Sequence, residues 1–225
     1  MVAMKGEGSM ASESNPEADP TAGTSLREIS VKTESWSVAD PAPLGLAGFA
    51  MTTFVLSMFN SNFVSSAGEP VVLGLALAYG GIAQLLAGMW EFRNGNTFGA
   101  VAFSSYGAFW ISFWVLVTFS AAAIPAAHVG SAIGLYLWAW AIFTGYMFIA
   151  SLRTSVAVAL VFGLLTITFI LLGIGNSGGE ASIIHWGGYL GLATAAAAWY
   201  ASFAAVTNST FGRVVLPVGP LKAKD

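Results

Sequence analysis

Six long stretches of this chain contain no Asp, Glu, Lys or Arg: Leu44–Ser66, Val71–Trp90, Thr97–Ser120, Ser131–Leu152, Thr154–Gly175 and Ile183–Val206. Each is about 20 residues or a little more, the length an α-helix needs to cross the hydrocarbon of a bilayer. A water-soluble domain carries roughly 25% charged residues, whereas this chain carries 8%. A surface so poor in charge must be covered by something other than water, which excludes a soluble enzyme. A transmembrane β-barrel requires short alternating segments, and these runs are continuously apolar. The expected fold is an all-α integral membrane protein with six transmembrane helices.

The basic residues orient it. All eight (Lys5, Arg27, Lys32, Arg93, Arg153, Arg213, Lys222 and Lys224) fall before the first span, after even-numbered spans, or in the final segment. The positive-inside rule therefore puts both termini in the cytoplasm. The connections are short, so consecutive helices are expected to be antiparallel neighbours. Residues 1–39 combine six acids with Ser, Thr, Gly and Ala and bury too little apolar surface to offset their ordering entropy. They read as a mobile polar tail, followed by a six-helix domain over 40–207 and a short cytoplasmic tail over 208–225. Gly95-Asn96 and Gly175-Asn176, with Ser105-Tyr106-Gly107 and His185-Trp186-Gly187, recur 80 residues apart, a faint echo that would suit inverted three-helix repeats.

Much chemistry is excluded. The chain has no cysteine and two histidines, so no thiolate, haem or histidine-rich metal site is expected, and no cofactor. With no Asp, Glu, Lys or Arg in any of the six runs, neither a catalytic dyad nor a carboxylate proton relay can be assembled there. The chain is not expected to be an enzyme, and no basic run suggests nucleic acid. The expected surroundings are a lipid bilayer.

What the spans do hold is neutral and polar. Phe49, Thr53, Leu56 and Asn60 share one face of the first helix, aromatic at one end and polar at the other. That stripe suits a pathway wall or interhelical hydrogen bonding. Gln84 lies one turn after Gly80-Gly81, with Gly74, Ala78 and Gly81 as a small face beside it. It reads as a link between helices or as pathway lining. Ser105 and Tyr106 sit within the third helix, where a phenol needs a hydrogen-bond partner. Gly187, Gly191 and Ala195 form a small stripe on the sixth, for tight contact within or between subunits. His185 is the one side chain in a span that titrates near neutrality. The starts of the first, third and fifth helices offer free N–H groups, either as a weak anion site or simply capped.

Asp40-Pro41-Ala42-Pro43-Leu44-Gly45-Leu46, followed by Ala47-Gly48-Phe49, resembles the N-P-A-P-L-G-L-x-G-F signature of the acetate uptake transporter family. That family includes bacterial succinate–acetate permeases and fungal acetate and ammonia-export proteins. Tyr79-Gly80-Gly81-Ile82-Ala83-Gln84, Gly95-Asn96-Thr97-Phe98-Gly99, Phe103 to Trp110, Ile183-Ile184-His185, Phe211-Gly212-Arg213 and Leu216-Pro217-Val218-Gly219 are similar to its further motifs, in order over all six spans. Asp40 stands where the family has Asn. Both residues cap helices, but an anionic Asp repels an acid substrate. The resemblance implies a ring-like homohexamer in the cell membrane, with a path through each protomer carrying acetate and other short carboxylates such as succinate, as a channel or a proton-linked transporter. It also implies a hydrophobic constriction, which motif position assigns to Phe49 and Tyr106, with Leu165 as a third member. Helix geometry adds Thr53, Asn60, Gln84 and Ser105 as polar flanks. Pro41, Ala42, Pro43, Leu44 and Gly45 are the signature itself. Two other readings share the composition: a hexameric channel for a small neutral solute such as urea or ammonia, and a non-transporting sensor or scaffold.

A short carboxylic acid has a pKa of roughly 4–5, so the substrate itself can bring the proton. Uptake is then expected to rise with external acidity and to keep that dependence in His185→Ala, measured as labelled acetate flux into proteoliposomes; loss of flux in that variant would assign the proton to the imidazole.

Overall fold

The computed structural model describes residues 38–221; the expected N-terminal tail, with Lys5, Arg27 and Lys32, and the terminal Lys222 and Lys224 lie outside them. Among the described residues six helices are long and apolar enough to cross a membrane: α1 (Ala42–Asn60), α2 (Ser66–Arg93), α3 (Thr97–Ala123), α4 (Ala126–Ser151), α5 (Val156–Gly178) and α6 (Ala181–Phe211). Most run beyond the apolar stretches that announce them, because a helix continues through polar residues at the membrane surface. His128, which precedes the apolar run Ser131–Leu152, is the third residue of α4. The expected boundary at 207 falls inside α6. Glu69 and Glu91 both belong to α2, and Glu91 is fully buried. The expectation of helices free of carboxylates is corrected here. Glu91 escaped notice because it stands one residue past an apolar run.

Turn chemistry sets the ends. Asn62 (φ 62°) and Gly95 (φ 74°) take left-handed conformations in the α1–α2 and α2–α3 turns, which Asn and Gly tolerate best. Asn96 caps α3 by accepting from the Gly99 N–H at 3.1 Å. Ser155 caps α5 by accepting from Val158 at 3.3 Å. Gly179 (φ 68°) ends α5. Gly212 (φ 64°) ends α6, and the chain then folds back. The Val156 and Ala157 N–H groups donate to the Gly219 and Val218 carbonyls at 2.7 and 3.1 Å. The Asn208 Oδ1 accepts from Val215 and Leu216, at 2.7 and 2.9 Å. At α1, the Ala42 N–H donates to Asp40 Oδ1 at 2.9 Å. The starts of α1, α3 and α5 are thus capped from within the chain, and of their two readings the structure supports capping.

The helices form a ring in the order α4, α5, α6, α1, α2, α3. Its spacing is uneven. On one side glycines bring backbones together. A Cβ on Gly188 of α6 would collide with the backbone of Asn60 and Ser61 at the end of α1. Gly191 meets Ser57 of α1, and Gly187 meets Leu172 of α5, so the small stripe of α6 serves contact within the chain. Gly88 of α2 meets the backbone of Ser104 in α3. Between α3 and α4, by contrast, large rings intervene. Although consecutive, these two helices meet mainly through side chains. Phe109 packs on Trp140 at 5.0 Å and stacks on Tyr136 at 5.7 Å.

One small face expected on α2 is corrected. Ala78–Ala83 forms a π-turn, a widened turn that inserts one extra residue and rotates the rest of the helix about its axis. Gly74 and Ala78 consequently face outward, and Gly80 is the residue that packs on Thr52 and Trp110. The 80-residue echo also fails to fall on equivalent positions: Asn96 caps α3, whereas Asn176 lies inside α5. Gly188→Ala is expected to cost about 1–3 kcal/mol through overpacking, read as a lower unfolding midpoint in detergent, while Gly74→Ala, which meets nothing within 4 Å, is expected to leave the midpoint unchanged or raise it.

Candidate functional site

Two cavities lie along the inside of the ring. The larger, about 160 Å³, is lined on α1 by Phe49, Thr53, Leu56, Ser57 and Asn60, the whole of the stripe read from the sequence with Ser57 added. Glu69 of α2 stands at its mouth. Phe109, Trp110 and Phe113 of α3, Tyr136 of α4, and Leu165, Thr168, Phe169, Leu172 and Asn176 of α5 form much of the remaining wall, with Leu116, Val117, Ile133 and Leu137. The smaller, about 20 Å³, is lined by Leu46, Phe49, Gln84, Ala102, Phe103, Tyr106, Val161, Phe162 and Leu165. It has room for about one water.

Phe49 and Leu165 line both cavities, so the two spaces are divided by their side chains. Tyr106 closes the same level from α3, its ring 5.6 Å from that of Phe49 and inclined by 54°. All three are buried, at 3–4% exposure. The tyrosine is held rigidly. Its ring also packs edge-on against Phe143 at 5.5 Å and against Phe162 at 5.9 Å. Its hydroxyl lies 2.9 Å from Thr144 Oγ1. Thr144 donates its own proton to the Trp140 carbonyl at 2.7 Å, so the phenol is the donor to Thr144. The deep tyrosine therefore has the partner its burial requires, and the bond ties α3 to α4 across the seam of rings.

Polar atoms near this level are short of partners. Thr53 Oγ1 and Trp110 Nε1, on residues of the larger cavity, and Gln84 Oε1, on the smaller, are buried with no hydrogen bond among the described residues. Gln84 is 1% exposed. A buried polar group left unpaired costs on the order of 1–3 kcal/mol, and a small polar solute passing here would relieve that cost.

Not every expected residue is brought in. Ser105 is partly buried and lines neither cavity; it points about 100° around α3 from Tyr106. His185 also lines neither. The signature residues are structural: Pro41 accepts from the Gly45 N–H at 3.2 Å, the Pro43 carbonyl accepts from Ser202 of α6 at 2.7 Å, and a Cβ on Gly45 would meet the Phe103 ring at 2.6 Å. Sequence reasoning missed Ser57, Thr168, Asn176 and Tyr136. Ser57 lies one turn beyond Thr53 on the same face and was legible; Thr168 and Asn176 lie one and three turns beyond Leu165 and became so only once Leu165 was placed. Thr144→Val leaves the Tyr106 hydroxyl unpaired and is expected to cost about 1–3 kcal/mol, more than Tyr106→Phe, which leaves Thr144 bonded to Trp140; unfolding midpoints of both variants and of the double variant measure the difference.

Known proteins share this sequence and this arrangement. The chain is 42% identical over 182 residues to the succinate-acetate/proton symporter SatP of Escherichia coli, covering 81% of this chain and 96% of that protein. It is 42% identical over 200 residues to acetate permease A of Emericella nidulans, covering 82% of this chain and 67% of that one. It is 42% identical over 192 residues to ammonia transport outward protein 2 of Saccharomyces cerevisiae, covering 83% and 68%. The solved structure of the bacterial acetate channel SatP superimposes with a TM-score of 0.76 at 42% identity, over 81% of this chain and 100% of that chain. The sequence profile of the GPR1/FUN34/yaaH family matches residues 23–223. With six apolar helices arranged as in that structure, this chain is a multi-pass membrane protein and belongs to the GPR1/FUN34/yaaH family.

Proposed function

We propose that the protein carries acetate, and short carboxylates such as succinate, across the cell membrane through the path marked by the two cavities. The observation that carries this reading is the pair of cavities divided by Phe49, Tyr106 and Leu165, within a bundle 42% identical to a structure described as a bacterial acetate channel. These three residues are assigned as the constriction. Thr53, Asn60 and Gln84 are assigned as its polar flanks, and Ser57 and Thr168 join them. Ser105 is left out on geometry. The protein works as a ring-like homohexamer with both termini in the cytoplasm. The family resemblance supports the first of these statements. The second is supported by the placement of Arg93, the last residue of α2, and of Arg153 and Arg213, which follow α4 and α6, at one end of the bundle.

Chemistry favours a small, weakly hydrated passenger. No Lys or Arg lines either cavity, so no charge offsets a carboxylate at the rings. Hydroxyls and amides serve instead, and the neutral acid needs only those. A second reading has one observation in its favour: the yeast relative is named for outward ammonia transport. Ammonia is also small and neutral, and the constriction would pass it.

Labelled acetate flux into proteoliposomes, with empty liposomes alongside, tests the proposal. Protein-dependent flux is expected, and Phe49→Ala and Tyr106→Ala are expected to change it several-fold in folded protein. Accumulation beyond passive weak-acid equilibrium would identify a coupled carrier, and faster equilibration alone a channel. Ammonia flux that acetate does not compete with, and no acetate flux, would replace the proposal by the second reading. Mass measurement in detergent is expected to give six copies.

A further inference from the structure

The larger cavity is one-sided in charge. Of its lining residues Glu69 alone is an acid, and no Lys, Arg or His lines it. Glu69 is half-buried in the 3₁₀ turn Ser66–Val71 that opens α2, and that turn is pinned. Pro70 fixes the backbone just after it, Ser65 accepts from the Ala67 N–H, and Gly68 rests on the Phe59 ring, which a Cβ would meet at 3.2 Å. Five other titratable side chains are found toward this end of the bundle, one of them Tyr189 of α6, which packs on the Phe63 ring at 5.4 Å and does not line the cavity. Tyr136 lines the cavity, but its hydroxyl is engaged with Ser112, at 2.7 Å, and with the Phe109 carbonyl, at 3.1 Å. His128 near the start of α4, Glu180 before α6 and His185 in its first turns do not line it. The arginines of the described residues lie at the opposite end. A carboxylate fixed at a low-dielectric mouth, with no cation beside it, repels anions within roughly a Debye length, about 8–10 Å.

We propose that Glu69 is a charge filter: it holds back the anion of a short carboxylic acid at this mouth and lets the neutral acid through. The inference rests on the transport reading above. Protonation takes place in bulk water, where the carboxylate gains its proton. The acid then passes as an uncharged molecule and releases the proton on the far side. No charge moves, and no relay within the bundle is needed. Acid dependence comes from the substrate: above a pKa of roughly 4–5, each unit of acidification multiplies the neutral form by about ten.

The test uses the full chain in proteoliposomes, labelled acetate at fixed total concentration near neutral pH, and a potassium gradient with valinomycin to impose a membrane potential. Flux through the unaltered protein is expected to track the neutral acid and to ignore the potential. Glu69→Gln is expected to admit the anion and add a potential-driven component that the unaltered protein lacks, as loss of a nearby like charge implies. Glu69→Lys is expected to exceed it, and Glu69→Asp to behave as the unaltered protein. Unfolding midpoints establish that each variant is folded. Equal response to potential in the unaltered protein and in the folded Gln and Lys variants would overturn the filter while leaving transport intact. Absence of protein-dependent flux from the unaltered protein would overturn the transport reading, and the filter with it.

Discussion

Helices that meet at glycine lie closer than helices that meet at tryptophan, and the interior of this bundle is shaped by that difference. Gly88, Gly188 and Gly191 seat α2 on α3 and α6 on α1 with no room for another carbon. Across the ring, Tyr106, Phe109, Tyr136 and Trp140 stand between α3 and α4. Lipid offers no hydrophobic drive for helices to associate, so each contact must be supported by van der Waals fit or by a hydrogen bond. The glycine contacts supply fit. The wide seam supplies ring contacts and the Tyr106–Thr144–Trp140 relay of hydrogen bonds. A ring closed tightly on one side and propped open on the other leaves space inside, and both cavities occupy it.

The division between those cavities also has a simple cause. Phe49 and Leu165 approach from α1 and α5, which are not adjacent in the ring, and Tyr106 approaches from α3. Every second helix contributes one large side chain at the same depth. Each is immobilised by neighbours rather than by the path: Tyr106 by Thr144, Phe143 and Phe162. A narrow place built this way excludes water by shape, and the unpaired Thr53, Trp110 and Gln84 atoms beside it keep it from being wholly inert.

The number of helices, their approximate limits and the α1 stripe were all legible, because an apolar run and a 3.6-residue period are local properties of a sequence. Phe49, Thr53, Leu56 and Asn60 do line one cavity together. Where reading failed, a local rule was interrupted. The π-turn at Ala78–Ala83 shifts the helical phase, so Gly74 no longer shares a face with Gly81. Ser105 has the same chemistry as useful residues but points around the helix from Tyr106. Glu91 lies just past an apolar run, because hydropathy ends where charge begins, whereas its helix continues to Arg93. The wide α3–α4 seam could not be foreseen from a short connection, since loop length limits how far apart helix ends lie, not how far apart their middles stand.

The return of the chain after Gly212 bears on how the protein is made. The start of α5 is completed by the carbonyls of Val218 and Gly219, residues translated only after all of α6. A growing chain therefore inserts α5 with those amides still unanswered and closes them after the bundle is otherwise assembled. The same few residues that finish the helix also report that translation has passed Phe211. A chain interrupted before that point leaves the Val156 and Ala157 N–H groups at the start of α5, near the turn that carries Arg153, to water alone.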